Sequence, residues 1–560
     1  MKPVKTLLAM LAFVMLIAGC TNKKEQMEKD LNAFIAKFDS TVQPLMKESN
    51  LAYWNASISG KAEEWKKSED LNIRLTKVFA NIKDFAVLKK IRESGTITDV
   101  MLKRQLEVMY NSYLSNQVDT AKLNEVIKMQ TQIEQKFSNF RADVDGKKLS
   151  DNDVEDILKK STVSADLQKA WEGHKAIGPV VAEDIRNLVK KRNEIARELG
   201  FGNYHEMSLK LSEQDPADIS KLFDELDTLT RSAFAGLKDE IDTYLSKRDN
   251  VSKEDLMPWH YQNRFFQEAP AIYSVDLDKY YKGKNVEKLV TDYYTSIGFD
   301  ISSMIGKSDL YERPGKNQHA YCIDIDNHGD VRVLGNIKAN YSWMGTMLHE
   351  FGHANYDKYI DPNLPFSLRN PAHTFTTEAI AMFFGRMAGN PEYLQDMKLA
   401  DAAESQKVAE ESFKVLRLEQ LTFSRWAQVM YRFEKGLYEN PDQDLNKLWW
   451  DLVEKYQMIK RPAGRNQPDW ASKIHIATSP CYYHNYLLGE LLASQLNHYI
   501  ATTVLKSSDL RQSYFGKKEV GKYLIDNVFN PGAKWSWNEM IEKATGEKLT
   551  ARYYAEQFVK

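Results

Sequence analysis

A proline-free stretch of helix-forming residues extends from Met344 to Asp357 and is centred on His349-Glu350-Phe351-Gly352-His353. In a helix, residues four apart project from the same face, so both imidazoles would lie one turn apart. At that spacing they can bind one Zn²⁺, and Glu350 can activate a zinc-bound water without being a ligand. A five-residue pattern with three fixed positions arises by chance at roughly the per-cent level, so the motif alone only suggests a zinc site.

Glu378 is the predicted third ligand. A new helix is expected to open at Thr374 and to continue through Glu378-Ala-Ile-Ala-Met-Phe-Phe-Gly385, in which Glu378 is the only acidic residue. A carboxylate in such an apolar stretch is costly to bury unless it is paired or binds a metal. Two histidines and one glutamate, with an open position for water, form a catalytic zinc site. His373 and Asp357 are alternative ligands, although Asp357 is better placed as a hydrogen-bond partner of a ligand.

Helical patterns dominate the remaining sequence, which predicts a mainly α fold. Between Lys24 and Asp255 apolar residues recur at three- and four-residue spacing, as in Val181–Leu199, where Gly200 supplies a helix end. Residues 321–334 differ, because alternating polar and apolar residues flank the turn Asn327-His-Gly-Asp330 and predict a β-hairpin. Such a hairpin could offer an edge strand to a substrate backbone, or it could be purely structural.

Composition excludes several classes of protein. Acidic and basic residues nearly cancel, 78 against 76, so the chain lacks the electrostatic footprint of a nucleic-acid-binding protein. Three cysteines, Cys20, Cys322 and Cys481, are too few for a disulfide framework, although one bridge between the last two is compatible with the sequence. No repeat or low-complexity linker divides the chain, so we expect one integrated domain. The protein is also expected to be a monomer.

The N-terminus has the pattern of a bacterial lipoprotein. Lys2 and Lys5 precede an apolar run that is too short for a membrane span and ends in Ile17-Ala-Gly-Cys20, which resembles a lipobox. We predict a signal peptide over residues 1–19, a lipid on Cys20 and a polar tether over residues 20–30. The lipid would anchor the protein to a membrane of the bacterial cell envelope, facing the periplasm or the cell surface. The alternative is an ordinary secretory signal with an incidental cysteine.

The zinc motif and its surroundings resemble the angiotensin-converting-enzyme family of peptidyl dipeptidases. The resemblance rests on His349-Glu-Phe-Gly-His353, Leu364-Pro-Phe-Ser-Leu-Arg-Asn370 and Thr377-Glu-Ala-Ile380. It continues in the same order through Leu51-Ala-Tyr-Trp-Asn-Ala-Ser-Ile58, His319-Ala320 and Lys473-Ile-His-Ile476. It implies a two-lobed helical domain over residues 31–560 around a deep central channel, one zinc ion, a peptide substrate and Glu350 as the base.

The same resemblance implies roles for residues distant from the zinc motif. They are His475 and Tyr486 for the transition state, Lys473 and Tyr483 for the substrate's C-terminal carboxylate, and His319 and Ala320 for the substrate backbone. These roles fit the side chains, since His and Tyr can donate to an oxyanion and an ammonium can bind a carboxylate. The residues between Lys473 and His475 are expected to be extended, with a helix opening after Tyr482.

The tyrosine assignment assumes a one-residue insertion after His475, because an ungapped alignment would select Tyr482 and Asn485. Two positions depart from the animal enzymes: Met382 replaces an aspartate, and Asn485 replaces an arginine that helps to bind chloride. Dependence on chloride is therefore not expected.

The predicted function is a zinc metallopeptidase that releases dipeptides from the C-terminus of short peptides. One alternative is a thimet-like oligopeptidase that cuts internally, which Glu350-Phe-Gly-His-Ala354 and Tyr482-Tyr-His-Asn-Tyr486 slightly favour. The other is a lipoprotein that binds peptides without catalysis, in which the proposed zinc ligands would have no purpose together.

Overall fold

The computed structural model describes the backbone of residues 3–273 and 275–559, and the side chains of residues 23–273 and 275–559. Cys20 and the predicted signal peptide therefore lie outside the residues whose side chains are described. None of the described helices combines the length and the apolar composition that crossing a membrane requires.

Helices carry most of the described chain. The first twelve are α1 Pro3–Ser59, α2 Ala62–Phe79, α3 Ile82–Ser94, α4 Val100–Leu114, α5 Thr120–Asn139, α6 Asp151–Lys160, α7 Ser164–Lys175, α8 Ile177–Glu198, α9 Tyr204–Leu211, α10 Pro216–Asp249, α11 Asp278–Tyr281 and α12 Val286–Ser296. The others are α13 Ser302–Ile305, α14 Tyr341–Lys358, α15 Thr374–Gly385, α16 Pro391–Asp396, α17 Ala402–Glu439, α18 Leu445–Leu452, α19 His475–Thr478, α20 His484–Tyr499, α21 Lys518–Leu524, α22 Trp537–Thr545 and α23 Arg552–Val559. The predicted mainly α class is confirmed.

Two short antiparallel hairpins accompany the helices in the described part of the chain. The predicted one pairs β3 (Tyr321–Asp324) with β4 (Val331–Leu334). The other, which was not predicted, pairs β1 (Ala142–Val144) with β2 (Lys147–Leu149). Its turn is Asp145-Gly146, with φ angles of 51° and 80°, which is the two-residue Asp-Gly signal of a tight hairpin.

The hydrophobic interior has two main parts. The larger core draws on residues from Ile133 to Phe558 and includes the helices that carry the zinc motif. The smaller core is formed where α1, α3 and α4 pack around Phe38 and Tyr113. Phe366, between α14 and α15, joins that smaller core. The N-terminal helices therefore lie beside the segment that links the two predicted metal-binding helices. The domain limits of 31–560 stay a prediction.

Small residues let α14 and α15 approach closely. A Cβ atom on Gly352 of α14 would lie 2.9 Å from the Ala381 Cα of α15, so no larger residue fits there without movement. On its other side α15 packs against α20, where a Cβ on Gly489 would lie 3.4 Å from the Glu378 Cβ. Helix α15 therefore brings Glu378 between the histidine helix and the helix that carries Tyr486.

Candidate metal centre and active site

The three predicted ligands converge on one point. The Nε2 atoms of His349 and His353 lie 3.2 Å apart. A Glu378 carboxylate oxygen lies 3.6 Å from the first nitrogen and 3.8 Å from the second. Within the described chain, these residues form the single group of three or more potential metal ligands. The spacing of four residues on α14 and the close packing of α15 together produce this arrangement.

Within the described chain, the two buried carboxyl groups of this metal site have no compensating positive charge. Burial lowers the pKa of His349 to about 4, and burial together with His349 lowers that of His353 to about 3, so both rings are neutral at pH 7. Burial raises the pKa of Glu378 to about 7, and burial followed by Glu378 raises that of Glu350 to about 8. Among the described side chains, no lysine or arginine forms a salt bridge with either carboxylate.

The donor set fits a divalent zinc ion. Neutral imidazole nitrogens and a carboxylate oxygen are ligands that Zn²⁺ prefers. A point equidistant from three atoms separated by 3.2–3.8 Å lies about 2 Å from each, which matches zinc–ligand distances. A dication would also supply the positive charge that the buried carboxylates lack.

The alternative ligands have other roles in the structure. His373 caps α15, since its Nδ1 accepts a hydrogen bond from the Phe375 amide at 3.1 Å. The Nδ1 atom of His353 lies 2.7 Å from the Thr377 hydroxyl, which thus orients the ring. The sequence predicted this role, hydrogen bonding to a metal ligand, for Asp357. Its carboxylate lies instead 3.8 Å from the Cys322 sulfur. Thr377 was missed although it directly precedes the predicted ligand Glu378.

A cavity of about 580 Å³ adjoins the metal site and is called the metal cavity below. The ligands and Glu350 line one part of it, and residues from Ala320 to Asp324, including strand β3, line another. The predicted hairpin therefore does lie beside the zinc motif. Ala320 lines this cavity, whereas His319 is exposed and lies outside its lining.

A second group of residues, called the lysine cluster, contains Gln267, Lys473 and Tyr483. The Lys473 ammonium donates to the Gln267 side-chain oxygen at 2.5 Å and lies 5.5 Å from the centre of the Tyr483 ring. Lys473 is only 6% exposed, and burial followed by Arg264 lowers its pKa to about 8. No salt bridge partners it within the described chain, so this ammonium is suited to receive an anion. Gln267 is 206 residues away in sequence, and the family resemblance offered it only as a loose counterpart of a carboxylate-binding glutamine.

The predicted transition-state residues, His475 and Tyr486, both pack against Tyr483 of the lysine cluster. The His475 ring centre is 5.6 Å from that of Tyr483, which in turn is 5.5 Å from that of Tyr486. Tyr486 lies one turn before Gly489, the residue of α20 that packs against Glu378, and burial followed by Glu378 raises its pKa. The predicted extended conformation is wrong for His475, because Ile474 has helical φ and ψ of −52° and −34° and His475 begins α19.

The alignment with the one-residue insertion stays a prediction, and the structure gives the positions of the tyrosines. Tyr483 lies beside Lys473, whereas Tyr486 lies one turn before the residue of α20 that packs against Glu378. Asn485, which the ungapped alignment would select, is buried and accepts a hydrogen bond from Gln214 at 2.8 Å. The ring centre of Tyr482 lies 5.4 Å from that of Tyr486, and burial followed by Glu378 raises the pKa of Tyr482.

Two buried charged residues hold the segment that connects His475 to the tyrosines. Arg192 donates to the Ala477 carbonyl at 2.7 Å, and Glu434 accepts the Cys481 amide hydrogen at 2.8 Å. Arg192 is 3% exposed and Glu434 is 2% exposed. Burying ionisable groups this deeply is costly unless they are hydrogen-bonded, and here both bond the backbone, one on each side of the turn. Cys481 itself is a free thiol and does not pair with Cys322.

Comparisons with known proteins agree with this geometry. A family model described as angiotensin-converting enzyme (Peptidase_M2) matches residues 25–558. The angiotensin-converting enzymes of Rattus norvegicus and Mus musculus are each 22% identical to the chain over 566 residues, and that of Bos taurus is 22% identical over 576 residues. In each case the alignment covers 94% of this chain and 42% of the relative, so the chain spans about two fifths of their length. The chain belongs to the angiotensin-converting enzyme family of peptidases.

Proposed function

We propose that the protein is a zinc metallopeptidase that releases dipeptides from the C-terminus of short peptides. The observation that carries this proposal is that the metal site and the lysine cluster are neighbours, linked through Tyr483 and Tyr486. The first group suits hydrolysis, and the second offers a buried ammonium to a free carboxylate.

One Zn²⁺ bound by His349, His353 and Glu378 would supply Lewis-acid chemistry, polarising a peptide carbonyl and lowering the pKa of water. Glu350 lies next to the first ligand and is only 8% exposed, and no lysine or arginine among the described side chains forms a salt bridge with it. We assign to it the acceptance of the proton from the attacking water. The same carboxyl then donates that proton to the departing amine, as a general base that becomes a general acid.

His475 and Tyr486 are assigned to the oxyanion that forms when water attacks the carbonyl. Burial, and then Lys473, lower the pKa of His475 to about 4, so its ring is neutral at pH 7 and donates through one N–H. The phenol of Tyr486 keeps its proton because burial raises its pKa. Two neutral donors in a partly desolvated site stabilise developing negative charge without needing to reorganise.

The lysine cluster is assigned to the terminal carboxylate of the substrate. Lys473 supplies the charge, and Gln267 and Tyr483 supply neutral donors that fix the orientation. Binding the chain end at one place defines which peptide bond reaches the metal. Ala320, and His319 beside it, are assigned to the substrate backbone along the hairpin.

The competing function is an oligopeptidase that cuts internally, and the products distinguish the two. Synthetic peptides of six to ten residues with free C-termini would be incubated with the zinc-loaded protein, and the products identified by mass spectrometry. We expect successive losses of two residues from the C-terminus. Internal cuts without dipeptide release would favour the oligopeptidase, and uncleaved peptides bound by a zinc-free protein would favour a binding lipoprotein.

We also propose that the protein acts as a monomer anchored through a lipid on Cys20 in a bacterial cell envelope. This rests on the residues of the N-terminal segment alone. Metabolic labelling with a fatty acid should mark the wild-type protein and not Cys20→Ser, and equal labelling and membrane retention of both would contradict the anchor.

A further inference from the structure

Asp357 is a half-buried carboxylate that lines the metal cavity without a cationic partner in the described chain. The contact found for it is with the Cys322 sulfur at 3.8 Å. Burial, and then Asp324, raise its pKa to about 8. A carboxylate withdrawn from water without a counter-charge is unfavourable, and a cation brought by a ligand would relieve that cost.

The neighbouring charges are already engaged. Both carboxylate oxygens of Asp324 accept backbone hydrogen bonds at 3.1 Å, from the amides of Asp326 and Gly329. The guanidinium of Arg369 lines the same cavity, but it donates to the Leu364 carbonyl at 2.7 Å and lies 3.2 Å from the His328 ring. Of Asp324 and Asp357, Asp357 is therefore the carboxylate that remains available to bind a ligand.

Helix α14 gives the direction in which a substrate would lie. At its beginning, Tyr341 lines a cavity together with Glu419 of α17. One turn further along α17, the ring centre of Phe423 lies 6.1 Å from that of Tyr483 in the lysine cluster. The beginning of α14 thus faces the side where the substrate's C-terminus is proposed to bind.

Asp357 lies near the other end of α14, one helical turn beyond His353. Residues one turn apart on a helix face are separated by about 5–6 Å. Two residues of an extended peptide span about 6.6 Å, so this carboxylate is within reach of the residues just before a bond cleaved at the metal. Its place in the metal cavity is consistent with that reach.

We infer that Asp357 binds the cationic side chain of a lysine or arginine located within two residues before the cleaved bond. This inference rests on the proposed peptidase function and names a substrate class for it. The enzyme would thus combine two opposite charge requirements, a carboxylate at the substrate's C-terminus and a cation on the other side of the metal.

The test uses three peptides that end in the same free dipeptide. One carries lysine at the first position before the cleaved bond, one carries lysine at the second, and the reference carries norleucine at both. We expect kcat/KM of the wild-type protein to be at least about tenfold higher for one lysine peptide than for the reference. Asp357→Asn, which keeps the shape of the side chain, should lose this preference while cleaving the norleucine peptide within about threefold of wild type.

The control variant is Glu312→Gln, which removes an exposed carboxylate that pairs with Lys338 and should leave the preference unchanged. Equal kcat/KM for all three peptides on the wild-type protein would overturn the inference alone. A lysine preference that persists in Asp357→Asn would also overturn it. If no peptide is hydrolysed by the zinc-loaded wild type, the proposed function itself fails and the inference falls with it.

Discussion

The metal site and the lysine cluster are built in different ways. The three metal ligands lie between residues 349 and 378 on two packed helices, whereas the lysine cluster joins Gln267 to residues 473 and 483. Helical periodicity fixes the first arrangement locally, but only tertiary packing assembles the second. The difference suggests that the first group governs whether a peptide is hydrolysed and the second governs which bond is cleaved.

Removing a metal ligand should have the largest effect on activity. It should disrupt the metal site and leave the lysine cluster intact. In Glu378→Ala the metal loses one of three protein ligands, so we expect bound zinc and hydrolysis both to fall to background. Metal analysis of the purified variant checks this. Asp357→Asn is the matched control and should keep its zinc, while full zinc occupancy in Glu378→Ala would place the third ligand elsewhere.

Glu350→Gln should separate metal binding from chemistry. Because Glu350 is not among the three converging ligands, the variant should retain zinc. Loss of the general base should lower turnover by about 10²–10⁴-fold. A variant with more than roughly a tenth of wild-type turnover would contradict the assignment.

The tyrosines should show an intermediate effect, because Tyr486 packs against Tyr483 of the lysine cluster and lies one turn before the residue that packs against Glu378. Tyr486→Phe removes one proposed oxyanion donor and should lower kcat by about 10²–10³-fold with bound zinc unchanged. Tyr482→Phe, a neighbour at the same helix start, should have a much smaller effect. A larger loss in Tyr482→Phe than in Tyr486→Phe would favour the ungapped alignment.

The same comparison explains what the sequence could predict. The zinc motif, Glu378 and the hairpin followed from local periodicity, and the structure brings them together as expected. Local periodicity did not identify four other residues, because their roles depend on contacts between segments that no local pattern connects. These residues are Gln267, Thr377, Arg192 and Glu434. The Asp145-Gly146 hairpin is different, since its turn signal is local and present in the sequence.

The pH dependence should sharpen the role of the lysine cluster. Lys473 is cationic below its pKa of about 8 and loses its charge above it, so its attraction for a carboxylate weakens as pH rises. The ratio of kcat/KM for a free-acid peptide to that for its amide should fall toward one between pH of about 7 and about 9. Using the ratio cancels pH effects at the metal site, and a constant ratio would contradict this role for Lys473.

The most direct test of the dipeptide-releasing mechanism is kcat/KM for one peptide as its free acid and as its C-terminal amide, at pH 7, on wild type and on Lys473→Ala. A charge-assisted contact is worth about 1.5–3 kcal/mol, so wild type should prefer the acid by about tenfold or more. Lys473→Ala should cleave both peptides about equally, because the partner of the carboxylate is gone. Similar values for acid and amide on wild type would contradict the account and favour an oligopeptidase that cuts internally.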